Sequence, residues 1–309
     1  MSAPAERSHA TSGLVSVVVV TADSGAGVIG CIANVLSSTT PVEVLVVDNA
    51  SRDGSIEQIA ARFADDPRVR ILRNQTNLGF GAACNRGAAA ANGDVILLLN
   101  PDCMIGADTI ARLRAVLESD ASMGLVGVLQ VDAEGHVDPA SRRRDPLFRR
   151  ALMSVFGLDR FATRWPSFAG VDMPPAASAP AIEAVDAVSG ALMAVPRAVF
   201  EQVRGFDEDY FLHCEDLDLC RRVRDAGYRV VCANDVRVVH GKGGSSRHRP
   251  VFVAWHKRRG MWRWFTKFDP AARNPLLRVL VWCGIWSAFA ASVPLLFLRR
   301  RRRRVARAA

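Results

Sequence analysis

The stretch LVSVVVVTADSGAGVIGCIANVLSSTTPVEVLVVDNASRDGS, Leu14 to Ser55, holds two runs of branched aliphatic residues, each ending in a polar cluster. A segment of helical length separates them. Neither run alternates apolar with polar residues, as a half-exposed strand would. Continuous runs of this kind suit strands covered on both faces, the situation of a parallel sheet flanked by helices.

The pattern continues downstream. We expect strands at Leu14–Val20, Val42–Val47, Val69–Arg73 and Val95–Leu99. Helices are expected near Val28–Ser37, Ser55–Ala64, Gly81–Ala91 and Ala107–Glu118. Alternating elements of this type predict an α/β fold with a doubly wound, mainly parallel sheet. The expected organisation is a disordered 1–12, a first half over 13–123 and a second half over 124–248. From Gly124 the pattern suggests shorter strands, an arginine-rich SRRRDPLFRR (141–150) and a Pro/Ala-rich loop or lid at 165–182. A basic-aromatic segment (249–275) and a hydrophobic segment with a polyarginine tail (276–309) close the chain.

The 309 residues carry a net charge of +9, but the charge is unevenly placed. From His256 onward there are fourteen Lys/Arg and one acid, Asp269, so the preceding 255 residues sum to −4. A mildly acidic body with a basic tail argues against a nucleic-acid binder and for an anionic surface such as a membrane. Seven scattered cysteines without a CxxC pair read as reduced cytosolic thiols. The N-terminus, with Glu6 and no apolar core, does not read as a signal peptide.

Val279–Leu298 is twenty residues without a charge, the length that spans a bilayer, followed by six arginines. Basic residues also precede it, from Lys257 to Arg278. Both ends then prefer the cytoplasmic side, which suggests a re-entrant or in-plane segment broken at Gly284 or Pro294.

Doubly wound sheets bind ligands at the carboxyl ends of their strands. Here those ends carry Thr21 and Asp23; Asp48, Asn49, Ser51 and Asp53; the glycines of RNQTNLGFGAACNRG with Asn85; and Asn100 and Asp102 around Pro101. Any one is compatible with a solvated loop; four together point to one polar crevice. Asp102, at the end of a central strand, suits a divalent cation held with a diphosphate, and His240, ending VRVVH, is a candidate co-ligand. GAGVIG (Gly25–Gly30) formally matches a dinucleotide fingerprint, but TADS separates it from the strand, so its first glycine is not in the tight turn.

DYFLHCEDLDLCRR, Asp209–Arg222, crowds acids, a histidine and two cysteines together. Leu217, Cys220 and Val223 form an apolar helix face, and Gly227 is placed to end that helix. A zinc site from His213, Cys214 and Cys220 lacks a second ligand pair of suitable spacing.

Taken in order, VVDNASRDGS, NLGFGAACNRG, NPD, SGALMAVPRAVFEQVRGFDEDYFLHCEDLDLCRR and VVHGKGGSS resemble the inverting family 2 glycosyltransferases of GT-A fold, most nearly their bacterial rhamnosyltransferase branch. The resemblance spans about residues 14–265. It implies that Thr21, Asp23 and Asp48 hold the donor nucleotide, with Asn49, Gly79, Asn85 and Asn100 around the donor. Asp102 matches the last Asp of the family's DxD metal motif, with Asn100 where many members have Asp, so Mg²⁺ or Mn²⁺ would lean on Asp102, His240 and the diphosphate. Ser189 and Gly190 would lie beneath the acceptor. Asp216 would be the base that takes the acceptor proton, ionised by the helix dipole. Glu215 would orient the acceptor and Asp218 would cap the helix or face solvent. Trp255, Trp262, Trp264 and Phe265, interleaved with His256, Lys257 and arginines, suit a membrane interface and a phosphate grip. The expectation is transfer of L-rhamnose from dTDP-rhamnose to a polyprenyl-diphosphate-linked glycan at the cytoplasmic face of a bacterial inner membrane. The alternatives are a UDP- or GDP-sugar donor, or, from another class, a NAD/FAD oxidoreductase.

Overall fold

The computed structural model describes residues 10–174, 179–241 and 249–308. Residues 1–9 of the expected disordered 1–12, the tip of the 165–182 loop and most of GKGGSS lie outside these residues. Thr11 and Ser12, expected to be disordered, instead open the first strand, where Thr11 pairs with Gly93. In chain order the elements are β1 (Thr11–Thr21), α1 (Gly27–Leu36), β2 (Val42–Asp48), α2 (Ser55–Arg62), β3 (Val69–Arg73), α3 (Phe80–Ala90) and β4 (Gly93–Leu99). Then follow β5 (Cys103–Met104), α4 (Thr109–Ser119), β6 (Met123–Val131), β7 (Arg142–Arg143) and α5 (Phe148–Val155). The chain continues through β8 (Ile182–Ala184), β9 (Ala187–Val188), β10 (Leu192–Pro196), α6 (Arg197–Gln202), α7 (Glu215–Asp225) and β11 (Arg229–His240). It closes with α8 (Pro250–Phe268) and α9 (Pro275–Ala308).

Eight strands form the path β3-β2-β1-β4-β10-β6-β11-β5, and β8 adds to β11. β1, β2, β3 and β4 are mutually parallel, as the aliphatic runs predicted, and β6 is parallel to β11. Two packed layers result from strand alternation. Val15, Val17 and Val19 face a core shared with Val28, Ile32, Ile56 and Ile110 of α1, α2 and α4. Val18, Val20, Leu45 and Val47 face the other way, onto Ala83, Cys84, Val199 and Leu217 of α3, α6 and α7. Burial on both faces explains the unbroken aliphatic runs Val17–Val20 and Val44–Val47. The polar residues inside β1 and β2, Ser16 and Glu43, are buried against each other, Ser16 Oγ donating to Glu43 Oε1 at 2.6 Å.

Two departures shape the site. β6 is not short: all nine of its residues are buried. β10 enters antiparallel between β4 and β6, with Leu192 opposite Leu99. This strand inserts Gly190 and Ala191 beside the end of β4, where Asn100 N–H donates to Ala191 O at 2.8 Å.

α8 and α9 form an antiparallel hairpin zipped by Trp255 on Trp286 (4.6 Å between ring centroids) and by Arg278 over Trp262 (5.7 Å). α9 runs unbroken through Gly284 and Pro294, so the expected break is absent. An intact α-helix of 34 residues extends ~51 Å. Its Pro275–Pro294 window has mean hydropathy 1.7 and is only 6% buried, unlike a core helix. Leu276, Val279, Leu280 and Trp282 are exposed.

Candidate active site

The crevice opens at the carboxyl ends of β1, β2 and β4. Thr21 is fully buried beside Asp48, and its Oγ1 has no hydrogen-bond partner. Asp48 Oδ1 accepts from Ser51 N–H at 3.0 Å. Across the gap, exposed Asp23 sits at φ +54° and accepts from Arg52 N–H at 2.7 Å, while Gly25 N–H donates to Asp53 at 2.8 Å. The two loops are thereby laced together. A Cβ built at Gly25 or Gly27 would meet nothing, whereas the dinucleotide fingerprint uses glycines where backbone must approach closely.

Two of the expected donor residues have other work. Asn49 is buried; its Nδ2 donates to Gly79 O (3.0 Å) and its Oδ1 accepts from Asn74 Nδ2 (2.6 Å). It shapes the loop leading to Gly79 instead of reaching into the crevice. Gly79 itself, at φ +88°, admits Phe211, whose carbonyl would lie 2.5 Å from a Cβ there. Asn85 stands apart from the crevice residues: its amide clasps Phe206, accepting from N–H (2.8 Å) and donating to O (2.9 Å).

Asp102 and His240 do come together, Oδ1 lying 3.2 Å from Nε2, with Asn100 Nδ2 3.4 Å from the same nitrogen. On the other side of the ring, Nδ1 lies 3.2 Å from Oε1 of Gln130, a residue 1% exposed. That oxygen accepts a proton carried by Nδ1, and in the neutral tautomer so held Nε2 is the ligating nitrogen, turned toward Asp102 Oδ1. Adjacent ligands of an octahedral cation about 2.1 Å away stand about 3 Å apart, so the pair fits a divalent metal. Neighbouring Cys103 is fully buried and burial pushes its thiol far up, which leaves it protonated and a poor ligand.

Asp216 occupies the first turn of α7 and remains 14% exposed at the crevice. Its Oδ2 accepts from Arg143 Nη2 and from Gly190 N–H (3.2 Å), its Oδ1 from Leu217 N–H (2.8 Å). Burial pushes the carboxyl up, but the Arg143 charge and these donors outweigh it and hold Asp216 below the usual carboxylate range. It is an ionised base. Glu215 is the opposite: burial, then the Asp216 charge, push it up to about 8, and its Oε2 has no partner. Asp218 is not a solvent residue. It is wholly buried, bonded to Arg222 and, at 2.6 Å, to Lys267 of α8. Leu217, Cys220 and Val223 are buried as the apolar face, and Gly227 at φ +91° ends the helix.

Ser189 and Gly190 sit directly over Asp216; Gly190 N–H bonds it, and Ser189 N–H donates to Ser141 O at 3.2 Å. α8 presses on the neighbouring loop that leads into α7. His256 stacks 4.5 Å from Phe211 and 4.3 Å from Phe252, and exposed Lys257 helps, after burial, to push His213 down to about 4. Sequence reasoning missed Arg143, which lay unassigned within the arginine-rich patch, and Gln130, the one polar side chain in an apolar strand.

A GT-A architecture with a metal-fitting pair at a strand end and an ionised carboxylate in the same crevice defines a glycosyltransferase. Glycosyl transferase family 2 matches residues 16–175 and Glycosyl transferase family group 2 matches residues 96–306, and the chain belongs to family 2, as a rhamnosyltransferase-like member. It is 32% identical over 235 residues, 72% of this chain and 74% of the relative, to the N-acetylglucosaminyl-diphospho-decaprenol L-rhamnosyltransferase of Mycobacterium tuberculosis. To the rhamnosyltransferase WbbL of Escherichia coli K12 it is 28% identical over 151 residues, 48% of this chain and 53% of that one. The fold is shared with the mannosyltransferase PcManGT of Pyrobaculum calidifontis in complex with GDP-Man and Mn²⁺ (TM-score 0.58, 19% identity, 94% of this chain and 80% of that one).

Proposed function

We propose that the chain transfers L-rhamnose from dTDP-rhamnose, with inversion, to a polyprenyl-diphosphate-linked glycan in cell-envelope polysaccharide synthesis. The observation that carries this reading is the ionised Asp216 beneath Gly190. A displacement with inversion needs one carboxylate opposite the leaving group to take the acceptor proton, and Asp216 fits that role. Thr21, Asp23 and Asp48 take the nucleotide, Asn49 and Gly79 shape its floor, and Asn100 borders the diphosphate. Asp102 and His240 would hold Mg²⁺ or Mn²⁺, which supplies charge neutralisation for a departing nucleoside diphosphate. Ser189, Gly190, His256 and Lys257 receive the acceptor, and Glu215, neutral near pH 7, orients it by donating a hydrogen bond. The sugar and lipid acceptor follow from the relatives' names. Exposed apolar α9 with its basic flanks supports attachment at the cytoplasmic face of the inner membrane.

Asp216→Asn should abolish transfer while donor binding persists; substantial turnover by that variant would sink the assignment. Calorimetric titration of the full chain with dTDP, UDP and GDP, with and without Mn²⁺, tests the donor. Metal-dependent dTDP binding that is lost in Asp102→Ala supports the reading. Preference for UDP or GDP would overturn rhamnose, and NADH binding without nucleotide binding would overturn the whole.

A further inference from the structure

α5 and the loop after it have no part in the chemistry above, yet they form a surface of their own. Along α5, Phe148, Leu152, Val155 and Phe156 fall at helical spacing on one stripe, and none of the helix's residues is buried. Val155 is 78% exposed and Phe156 68%. Two 3₁₀ turns, Leu158–Phe161 and Pro166–Phe168, extend the face. Here Trp165 meets Phe161 in a T-shaped contact and Phe168 in a tilted one, with ring centroids 6.2 and 5.9 Å apart. Arginines lie over two of these rings: Arg160 is 4.8 Å from the Phe161 centroid and Arg164 is 5.4 Å from that of Trp165. From Phe148 to Phe168 there are four arginines and a single acid, Asp159.

We infer that this face is a second lipid-contacting surface, which lies on an anionic bilayer beside α9. The inference rests on the membrane reading of α9 and adds a second contact to it. Aromatic rings paired with arginines match the interface, where rings sit at headgroup depth and guanidinium groups meet anionic lipid phosphates. Position agrees with composition. Phe148 N–H, at the start of α5, donates to Asp269 Oδ2, and Asp269 is the residue at which α8 ends before the turn into α9. The patch is therefore anchored at the hinge of the hairpin that carries the apolar helix. It is also joined to the site: β7 leads into α5, and Arg143 of β7 holds Asp216. A lipid-carried acceptor lying at this face would have its headgroup within a short stretch of chain from the base.

The test uses the full chain reconstituted in vesicles of phosphatidylcholine with and without phosphatidylglycerol. Cys283 of α9 is exposed and the other six cysteines are buried, so one environment-sensitive label can be placed at a time. It goes on native Cys283, or, in a Cys283→Ser background, on Phe156→Cys or on the reference Glu57→Cys. Glu57 is 63% exposed on α2. The label at 156 should be shielded from iodide several-fold better than that at 57, and the shielding should require phosphatidylglycerol and fall in Arg160→Glu/Arg164→Glu. Shielding at Cys283 with none at 156 would overturn the second surface and leave the α9 reading standing. Iodide access at both would overturn both. Shielding at 156 without vesicles, rising with protein concentration, would assign the face to a second copy and overturn the lipid assignment.

Discussion

Arg143 donates to Asp216 across 73 residues of sequence, and this ion pair sets the charge state of the proposed base. Burial alone would push Asp216 up; Arg143 is the largest influence in the other direction. Arg143→Met leaves burial opposed only by the backbone donors. The acid limb of the kcat–pH profile should then move upward by about one unit or more, since a nearby opposite charge accounts for shifts of that size. Arg143→Lys should move it less. An unmoved acid limb in Arg143→Met would mean that Asp216 does not control the rate.

Gln130 meets the His240 ring at Nδ1, the position from which an outer partner would orient it for the proposed metal. Gln130→Ala should weaken Mn²⁺ binding in the presence of nucleotide by about 10–100-fold. Titration of Mn²⁺ into the nucleotide-loaded protein checks this, with nucleotide affinity in metal-free buffer expected to hold.

Glu215 predicts a stability change with a definite sign. Unfolded, it titrates near about 4.3; folded, burial and Asp216 raise it to about 8. Between those values the unfolded chain releases a proton that the folded chain keeps, so this residue's contribution to stability falls as pH rises through the window. Glu215→Gln should therefore gain stability over the native protein at pH 8 relative to pH 5. Melting temperatures at the two pH values, compared between the proteins, decide it.

Gly260 brings α8 onto the loop that leads into the proposed base. A Cβ there would lie 2.6 Å from His213 O, and His213 and Cys214 are held at φ +69° and +70° just before Glu215. Gly260→Ala should cost about 1–3 kcal/mol in denaturant unfolding, the range for overpacking. It should lower kcat more than it changes donor KM, because the displaced loop carries Asp216.

The sheet was legible because its strands are buried on both faces, and burial leaves a mark on every residue of Val17–Val20 or Val44–Val47. Strand order left none: nothing in LMAVP says that it runs antiparallel between β4 and β6. Strand-end residues were legible as a set, since Thr21, Asp48, Asn100 and Asp102 follow apolar runs directly. Their individual duties were not. Asn49 and Asn85 are polar residues at expected positions whose amides bind backbone instead, and Asp218 sits among charged neighbours yet is buried by Lys267 from a helix about fifty residues away. Arg143 and Gln130 were hidden for the same reason, because each acts through a partner remote in sequence.

Two adjacent residues connect the two sides of the crevice. Gly190 N–H holds Asp216, and the carbonyl of the following residue, Ala191, holds Asn100 beside the Asp102–His240 pair. The gap between the proposed base and the proposed metal pair is thus gauged by main chain, which side-chain exchange does not alter. Substitutions that retune the surrounding pocket would leave that spacing unchanged.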